Sequence, residues 1–301
     1  STKMLVLVSA VTTVIFAVLL RFHSTIDLFP FIFRFEPLTF NILSFTQILT
    51  ENFKIWFIVY GIAHIVLHFP FFTVFRVSPK PPSTPLLYLE FLRSCRSLVI
   101  GSVIEMAIEK LYIDDVFPVI TPISYFDISP SSSTTSIFIA CGLFPIVLLV
   151  GDAHFYWTHR LLHTKWLFAK VHHVHHLSFN PNPISGLSMH WVEASIYFSC
   201  APIIGLFCPL WVTRLLTKVF LITPLQSHAG HTCTGHENVS SVAKRLLSKD
   251  EHYIHHVTSR YNYGSNPLWD KLMGTAYPAD KVDDLLDSIK KKGSEKEDEP
   301  E

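Results

Sequence analysis

Apolar positions run along this chain in long blocks, separated by proline-rich or histidine-rich breaks. Residues 4–20, MLVLVSAVTTVIFAVLL, carry no charge and are flanked by Lys3 and Arg21. That run predicts a short membrane span or anchor rather than a signal peptide, since no small-x-small cleavage site follows. Residues 30–50 are Phe-rich and broken by Pro30 and Pro37, the pattern of an interfacial segment. The stretch 55–75 is the strongest spanning candidate, with His64 and His68 one turn apart inside it. A proline-broken loop at 76–85 leads to a helix of mixed polarity over 86–112. After a Pro- and Ser-rich loop at 117–135, residues 136–163 read as one long helix. Its first half is apolar enough for a bilayer; its second half carries Asp152, His154, His159 and His163. Residues 177–190 are a turn-rich connection. Residues 191–225 are apolar again and broken at Cys208-Pro209, which predicts a helical hairpin dipping into the membrane. Arg214 and Lys218 argue that this hairpin is shallow, because charge at mid-bilayer is costly. The charged end from Lys290 reads as a disordered tail.

Composition agrees with the blocks. Hydrophobic residues make up 49% of the 301 and charged residues only 16%, against about 25% in soluble domains. Phe alone occurs 25 times, and mean hydropathy is +0.35. These values point to an integral membrane protein. Basic and acidic residues balance at 24 each, so no basic excess points to nucleic acid. The five cysteines form no C-x-x-C and mostly sit in apolar runs, where they act as small hydrophobes.

Histidines carry the candidate chemistry. Six fall within the eighteen residues from His159 to His176: HRLLH, then HHVHH. His159 and His163 share a helix face one turn apart. His172, His175 and His176 are expected on one helical face as well, after a turn-like break. Two clusters follow, His228 with His231 in HAGH and His252, His255 and His256 in HYIHH. Imidazole suits a borderline transition metal such as iron or zinc. A tetrahedral zinc needs four ligands, so this set implies two ions, or one ion inside a histidine-rich surround. A histidine-rich membrane metal-binding or transport protein without catalysis is the alternative class. Asp152, Glu193, Asp250, Glu251 and Asp270 are candidate carboxylates for orienting ligand rings. Neither a haem-binding HPGG nor a G-x-G-x-x-G stretch occurs.

The order H-x3-H, H-x2-H-H, H-x2-H, H-x2-H-H resembles the fatty acid hydroxylase / sterol desaturase superfamily. The stretches DAHFYWTHRLLH (152–163), KVHHVHHLSFNPNPISGLSMHWVE (170–193) and HHVTSRYNYGSNPLWDKLMGT (255–275) resemble its boxes and its Asn-Tyr-Gly and Trp-Asp…Gly-Thr elements. The resemblance covers about residues 140–277. It implies an all-α integral membrane protein whose cytosolic di-iron site caps transmembrane helices. On this reading residues 1–135 are N-terminal membrane and interfacial helices, 136–280 the catalytic domain and 281–301 a disordered tail. It implies O2-dependent hydroxylation or desaturation of a sterol or a fatty acyl or sphingoid lipid by two irons. The expected ligands, also the expected catalytic set, are His159, His163, His172, His175, His176, His228, His252, His255 and His256, with His231 as a further metal ligand. His154, His173, His190 and His236 have no assigned role. Electrons would come from cytochrome b5 or a reductase, the lipid from the bilayer, and the protein would lie in the endoplasmic reticulum membrane.

Overall fold

The computed structural model describes residues 40–67, 75–78, 82–118, 134–232 and 250–295. Among the described residues the chain is all-α, with no strand and one isolated antiparallel bridge, Arg76 to His231. The expected anchor at 4–20, His68, most of the 117–135 loop, His236 and residues 296–301 lie outside them. No described helix is long and apolar enough to cross a membrane.

The long helices are α1 (Ile42–Leu67), α2 (Thr84–Ile113) and α3 (Thr134–Leu162). Short helices follow: α4 (Lys165–Lys170), α5 (Trp191–Phe198), α6 (Cys200–Gly205), α7 (Leu210–Ser227), α8 (Asp250–Thr258), α9 (Pro267–Met273) and α10 (Val282–Glu295). The expected helices at 86–112 and 136–163 and the break at Cys208-Pro209 are all present. Two expectations need correcting. The link between HRLLH and HHVHH is not a turn but helix α4, followed by a 3-10 turn over His172–Val174. The charged end is not disordered as far as Glu295: Val282, Leu286 and Ile289 make an apolar stripe that packs with Val77 and Tyr253, so the segment folds as α10.

The chain divides into two compact units, each made of several segments. The first takes 1–48, 102–154 and 198–219. Here the charges that weakened the hairpin reading are paired. Lys218 Nζ meets both Glu105 oxygens at 2.8 Å, and Arg214 donates to Glu109 at 2.7 Å, all four side chains buried. Pairing is the condition under which such charges tolerate burial. Ile108, Ala201 and Leu210 form an apolar cluster beside them.

The second unit takes 49–101, 155–197 and 220–301. Its share of α2 turns polar side chains inward. Glu90 accepts from Ser178 Oγ and from Asn182 Nδ2 (2.8 Å), Ser94 donates to the Ile184 carbonyl (2.8 Å), and Arg96 to the Met189 carbonyl (2.6 Å). A buried loop must satisfy its backbone somewhere, and this face of α2 does so for residues 178–189. Pro224 has a related effect inside α7. Lacking an N–H, it leaves the Phe220 carbonyl without its helical donor, and the Tyr197 hydroxyl fills the place at 2.7 Å.

Candidate metal centre

Four stretches of the second unit deliver histidines to one place: the end of α3, the 3-10 turn after α4, the end of α7, and α8. They form two groups. His159, His163, His172, His176 and His255 make one; His175, His228, His252 and His256 make the other. Within each group the potential ligand atoms all lie within 4.8 Å of one another. Eight of the nine residues are buried and His163 is half-buried.

Each H-x2-H-H box therefore serves both groups. His172 and His176 go to the first and His175 to the second; His252 and His256 go to the second and His255 to the first. The expectation of a single helical face for 172, 175 and 176 is corrected. His172 and His176 stay together while His175 turns toward the Ser188 carbonyl, which its Nδ1 meets at 3.3 Å, the same division that helix α8 gives to 252, 256 and 255.

Seven of the nine rings are oriented through Nδ1, and Nδ1 of His252 and His256 is buried without a hydrogen-bond partner. Nδ1 of His159 donates to the Tyr263 carbonyl (2.6 Å), that of His255 to the Tyr261 carbonyl (2.6 Å), and that of His228 to the Pro224 carbonyl (2.9 Å). His172 Nδ1 meets Glu193 Oε1 at 2.8 Å, His176 Nδ1 faces Ser259 Oγ at 3.3 Å, and His163 leans on the Ser259 carbonyl. A carbonyl only accepts, so its partner nitrogen carries the proton and leaves Nε2 a bare lone pair. The Nε2 atoms then turn inward on one another. His228 Nε2 has His175, His256 and His252 Nε2 at 3.2, 3.1 and 3.3 Å. His172 Nε2 has His159 and His176 Nε2 at 3.0 and 3.2 Å.

One proton cannot satisfy three lone pairs. Nor do the Nε2 atoms of His163 and His255 find any hydrogen-bond partner, though both are buried. Nitrogens about 3.0–3.3 Å apart are spaced as neighbouring donors around an ion with metal–nitrogen distances of about 2.0–2.1 Å. The residues present thus fit two transition-metal ions. Burial is the main cause, with neighbouring imidazoles adding to it for most of the rings, that holds every ring of the set below the ordinary histidine range. His159 falls to about 3 and His175 to about 4; His172, His228, His252, His255 and His256 fall well below. The rings are neutral at physiological pH, the form that ligates.

Aromatic side chains wall the five-histidine group. Phe155 lies 5.1 Å from His159, and Phe168 and Tyr263 lie 5.2 and 5.1 Å from His163, ring centre to ring centre. Two glycines are structurally required. Gly230 in HAGH sits at φ +69, and a Cβ there would stand 2.4 Å from the Pro181 carbonyl. A Cβ on Gly264 would stand 2.5 Å from the Asn266 carbonyl.

His231 does not join either group. The strand-like pairing of 230–232 with 75–77 carries its ring away, to the carbonyls of Ala229 (2.6 Å) and Leu67 (3.2 Å). His173 is exposed, His154 bonds Ser199 Oγ (3.0 Å) in the other unit, and His190 Nδ1 accepts from Val192 N (3.2 Å) at the start of α5. Among the candidate carboxylates Glu193 touches a ligand ring, and Asp270 holds the turn that carries the Tyr263 carbonyl. Sequence reasoning missed the acceptors at Ser188, Pro224, Tyr261 and Tyr263. They are main-chain carbonyls, and no side-chain pattern marks them.

Residues 144–275 match the fatty acid hydroxylase family. A methylsterol monooxygenase 2-2 of Arabidopsis thaliana is 30% identical over 156 residues, half of this chain and 56% of that protein. A very-long-chain aldehyde decarbonylase of Oryza sativa subsp. indica is 31% identical over 154 residues, 46% of this chain and 24% of that protein. A putative Delta(7)-sterol-C5(6)-desaturase 2 of Arabidopsis thaliana is 29% identical over 129 residues, 41% of this chain and 44% of that protein. The chain thus spans between a quarter and somewhat over half the length of these relatives. No solved structure matches it.

Proposed function

Residues 144–275 make this chain a member of the fatty acid hydroxylase family, and from that premise we propose an iron-dependent oxidoreductase that uses O2 to oxidise a lipid. The observation that carries the reading is the convergence of nine imidazole nitrogens, one from each ring, into groups of five and four. The relatives named for methylsterol, a sterol and a long-chain aldehyde support an apolar substrate with a small polar group. Hydroxylation is the favoured outcome over desaturation.

His159, His163, His172, His176 and His255 would hold one iron, and His175, His228, His252 and His256 the other. When bound, the irons would supply reductive O2 activation and hydrogen abstraction from an unactivated C–H bond. The remaining work belongs to the chain. The main-chain carbonyls at Nδ1 of His159, His175, His228 and His255 fix the tautomers of those rings before metal arrives. Phe155, Phe168 and Tyr263 keep water from one side of the five-histidine group. A transport site needs ligands that open and close; here eight of nine ligand rings are buried.

The long helices expose apolar faces: Ile58, Ile62 and Ile65 on α1, Tyr88, Leu92 and Val99 on α2. Such faces support contact with a bilayer from which the lipid is taken. The proposed location is the endoplasmic reticulum membrane, with the histidine groups toward the cytosol and electrons from cytochrome b5 or a reductase. The test is incubation of membranes containing the protein with reductant, ¹⁸O2 and a lipid panel, alongside metal analysis of the purified chain. Label in a lipid supports hydroxylation; an unlabelled new double bond would replace it with desaturation. Turnover of a small soluble substrate with no lipid oxidised would overturn the proposal.

A further inference from the structure

The turn after α8 has two carbonyls with a common purpose. Tyr261 O takes the Nδ1 proton of His255, and Tyr263 O that of His159, both at 2.6 Å. Both rings belong to the five-histidine group. Between them Asn262 sits at φ +57, a left-handed conformation that Asn tolerates better than most residues. Its side chain accepts from Tyr277 N (2.9 Å) and donates to the Glu251 carbonyl (2.9 Å).

Asp270 on α9 grips the same turn. It is 1% exposed. Oδ1 accepts from Tyr263 N (2.8 Å) and Thr275 Oγ1 (2.7 Å), and Oδ2 accepts from Gly264 N (2.8 Å). The Gly264 N–H and the Tyr263 C=O are the two ends of one peptide unit. The chain of contacts is therefore carboxylate, peptide, imidazole: Asp270 Oδ2 to Gly264 N–H, then Tyr263 C=O to His159 Nδ1–H. A peptide whose N–H is held by a carboxylate is a better acceptor at its oxygen, because successive hydrogen bonds polarise one another. Glu193 acts on His172 in the same group directly, at 2.8 Å. Among the described residues the four-histidine group has no such support. His175 and His228 meet neutral carbonyls, and Nδ1 of His252 and His256 is buried with no hydrogen-bond partner.

We propose that Asp270 is a positioning residue that fixes and strengthens His159 through the 263–264 peptide, and that the two metal positions are consequently unequal, the five-histidine one holding its metal more firmly. This rests on the metal-centre reading above.

The experiment follows metal release from purified full-length protein in detergent, loaded with iron and then mixed with a chelator. Wild type is expected to lose metal in two phases. His228→Ala should lack the fast phase and keep the slow one. Asp270→Asn puts an amide NH2 against a backbone N–H whichever way it turns. It should speed the slow phase, or weaken that site, by about 10–100-fold, the usual range for lost ring-orienting contacts, and leave the fast phase alone. A general loosening of the fold would move both phases. In a His159→Ala background Asp270→Asn should add nothing to the slow site. A single phase in wild type, or loss of the slow phase by His228→Ala, would overturn the inequality. That arm needs no Asp270 variant and decides the matter even if Asp270→Asn fails to fold. Unchanged slow release in folded Asp270→Asn would overturn the role of Asp270. If wild type binds no metal at all, the metal-centre reading itself fails, a distinct result.

Discussion

At the scale of single residues the structure separates histidines that look alike in sequence. His231 stands three residues from His228, as His175 stands three from His172, yet it lies outside both groups. His231→Ala is expected to keep both metals, measured as iron per chain, whereas His256→Ala should lose the four-histidine metal together with activity. Equal metal loss from both variants would refute the partition. Glu193→Gln keeps the shape and replaces the carboxyl that His172 Nδ1 meets at 2.8 Å; it should weaken metal binding about 10–100-fold without altering helix content. The neutral rings also make acidity a test. Each ring has a folded-state pKa below its unfolded value of about 6.5, so between the two the unfolded chain holds more protons and stability rises with pH. The metal-free protein is thus expected to hold its stability above about pH 7 and to lose it as pH falls through the unfolded value of about 6.5 toward 4, where His175 titrates. Denaturant titration of metal-free protein at several pH values checks the sign. Stability that rose on acidification would contradict the burial of neutral rings.

Elements place these residues by departing from regular geometry. Pro224 breaks the ladder of α7 one turn before His228, and its own carbonyl receives both the His228 backbone N–H (3.0 Å) and Nδ1 (2.9 Å). Tyr197→Phe would strand the Phe220 carbonyl, a buried acceptor that costs about 1–3 kcal/mol when unsatisfied. Lower stability with the metal count unchanged is the expected result, read by denaturant unfolding. The spacing of 159 and 163 was legible in sequence because an α-helix has a fixed period. The division of HHVHH was not. In both boxes the histidines four apart share a group and the one between them serves the other, on the 3-10 turn begun at His172 and on helix α8 alike. The division therefore depends on segments brought to either side of the box, which the local pattern does not state. The tail misled for a related reason. Its charges suggested disorder, but the spacing of Val282, Leu286 and Ile289 gave it a face to bury against Val77 and Tyr253.

At the scale of the molecule, the proposed lipid environment is tested through the exposed apolar faces of the long helices. The protein is expected to stay with membranes through an alkaline wash and to need detergent for release; recovery in the aqueous phase would refute this. Asn238-Val239-Ser240 is a formal glycosylation sequon between the third and fourth boxes. Facing the cytosol it should stay unmodified, and a glycan found there would reverse the proposed topology.

The sequence by itself determined the helical class, the helices at 86–112 and 136–163 and the identity of nearly all the clustered histidines, because periodicity and residue chemistry are local properties. It misplaced the first long helix, expected at 55–75 and found at Ile42–Leu67. Only the tertiary structure decided which histidines share a group, why His231 is excluded, and how the rings are oriented. Those depend on main-chain carbonyls at 188, 224, 261 and 263, brought to the rings by segments far apart in the chain. A carbonyl is common to every residue, so its use appears only when the fold aims it.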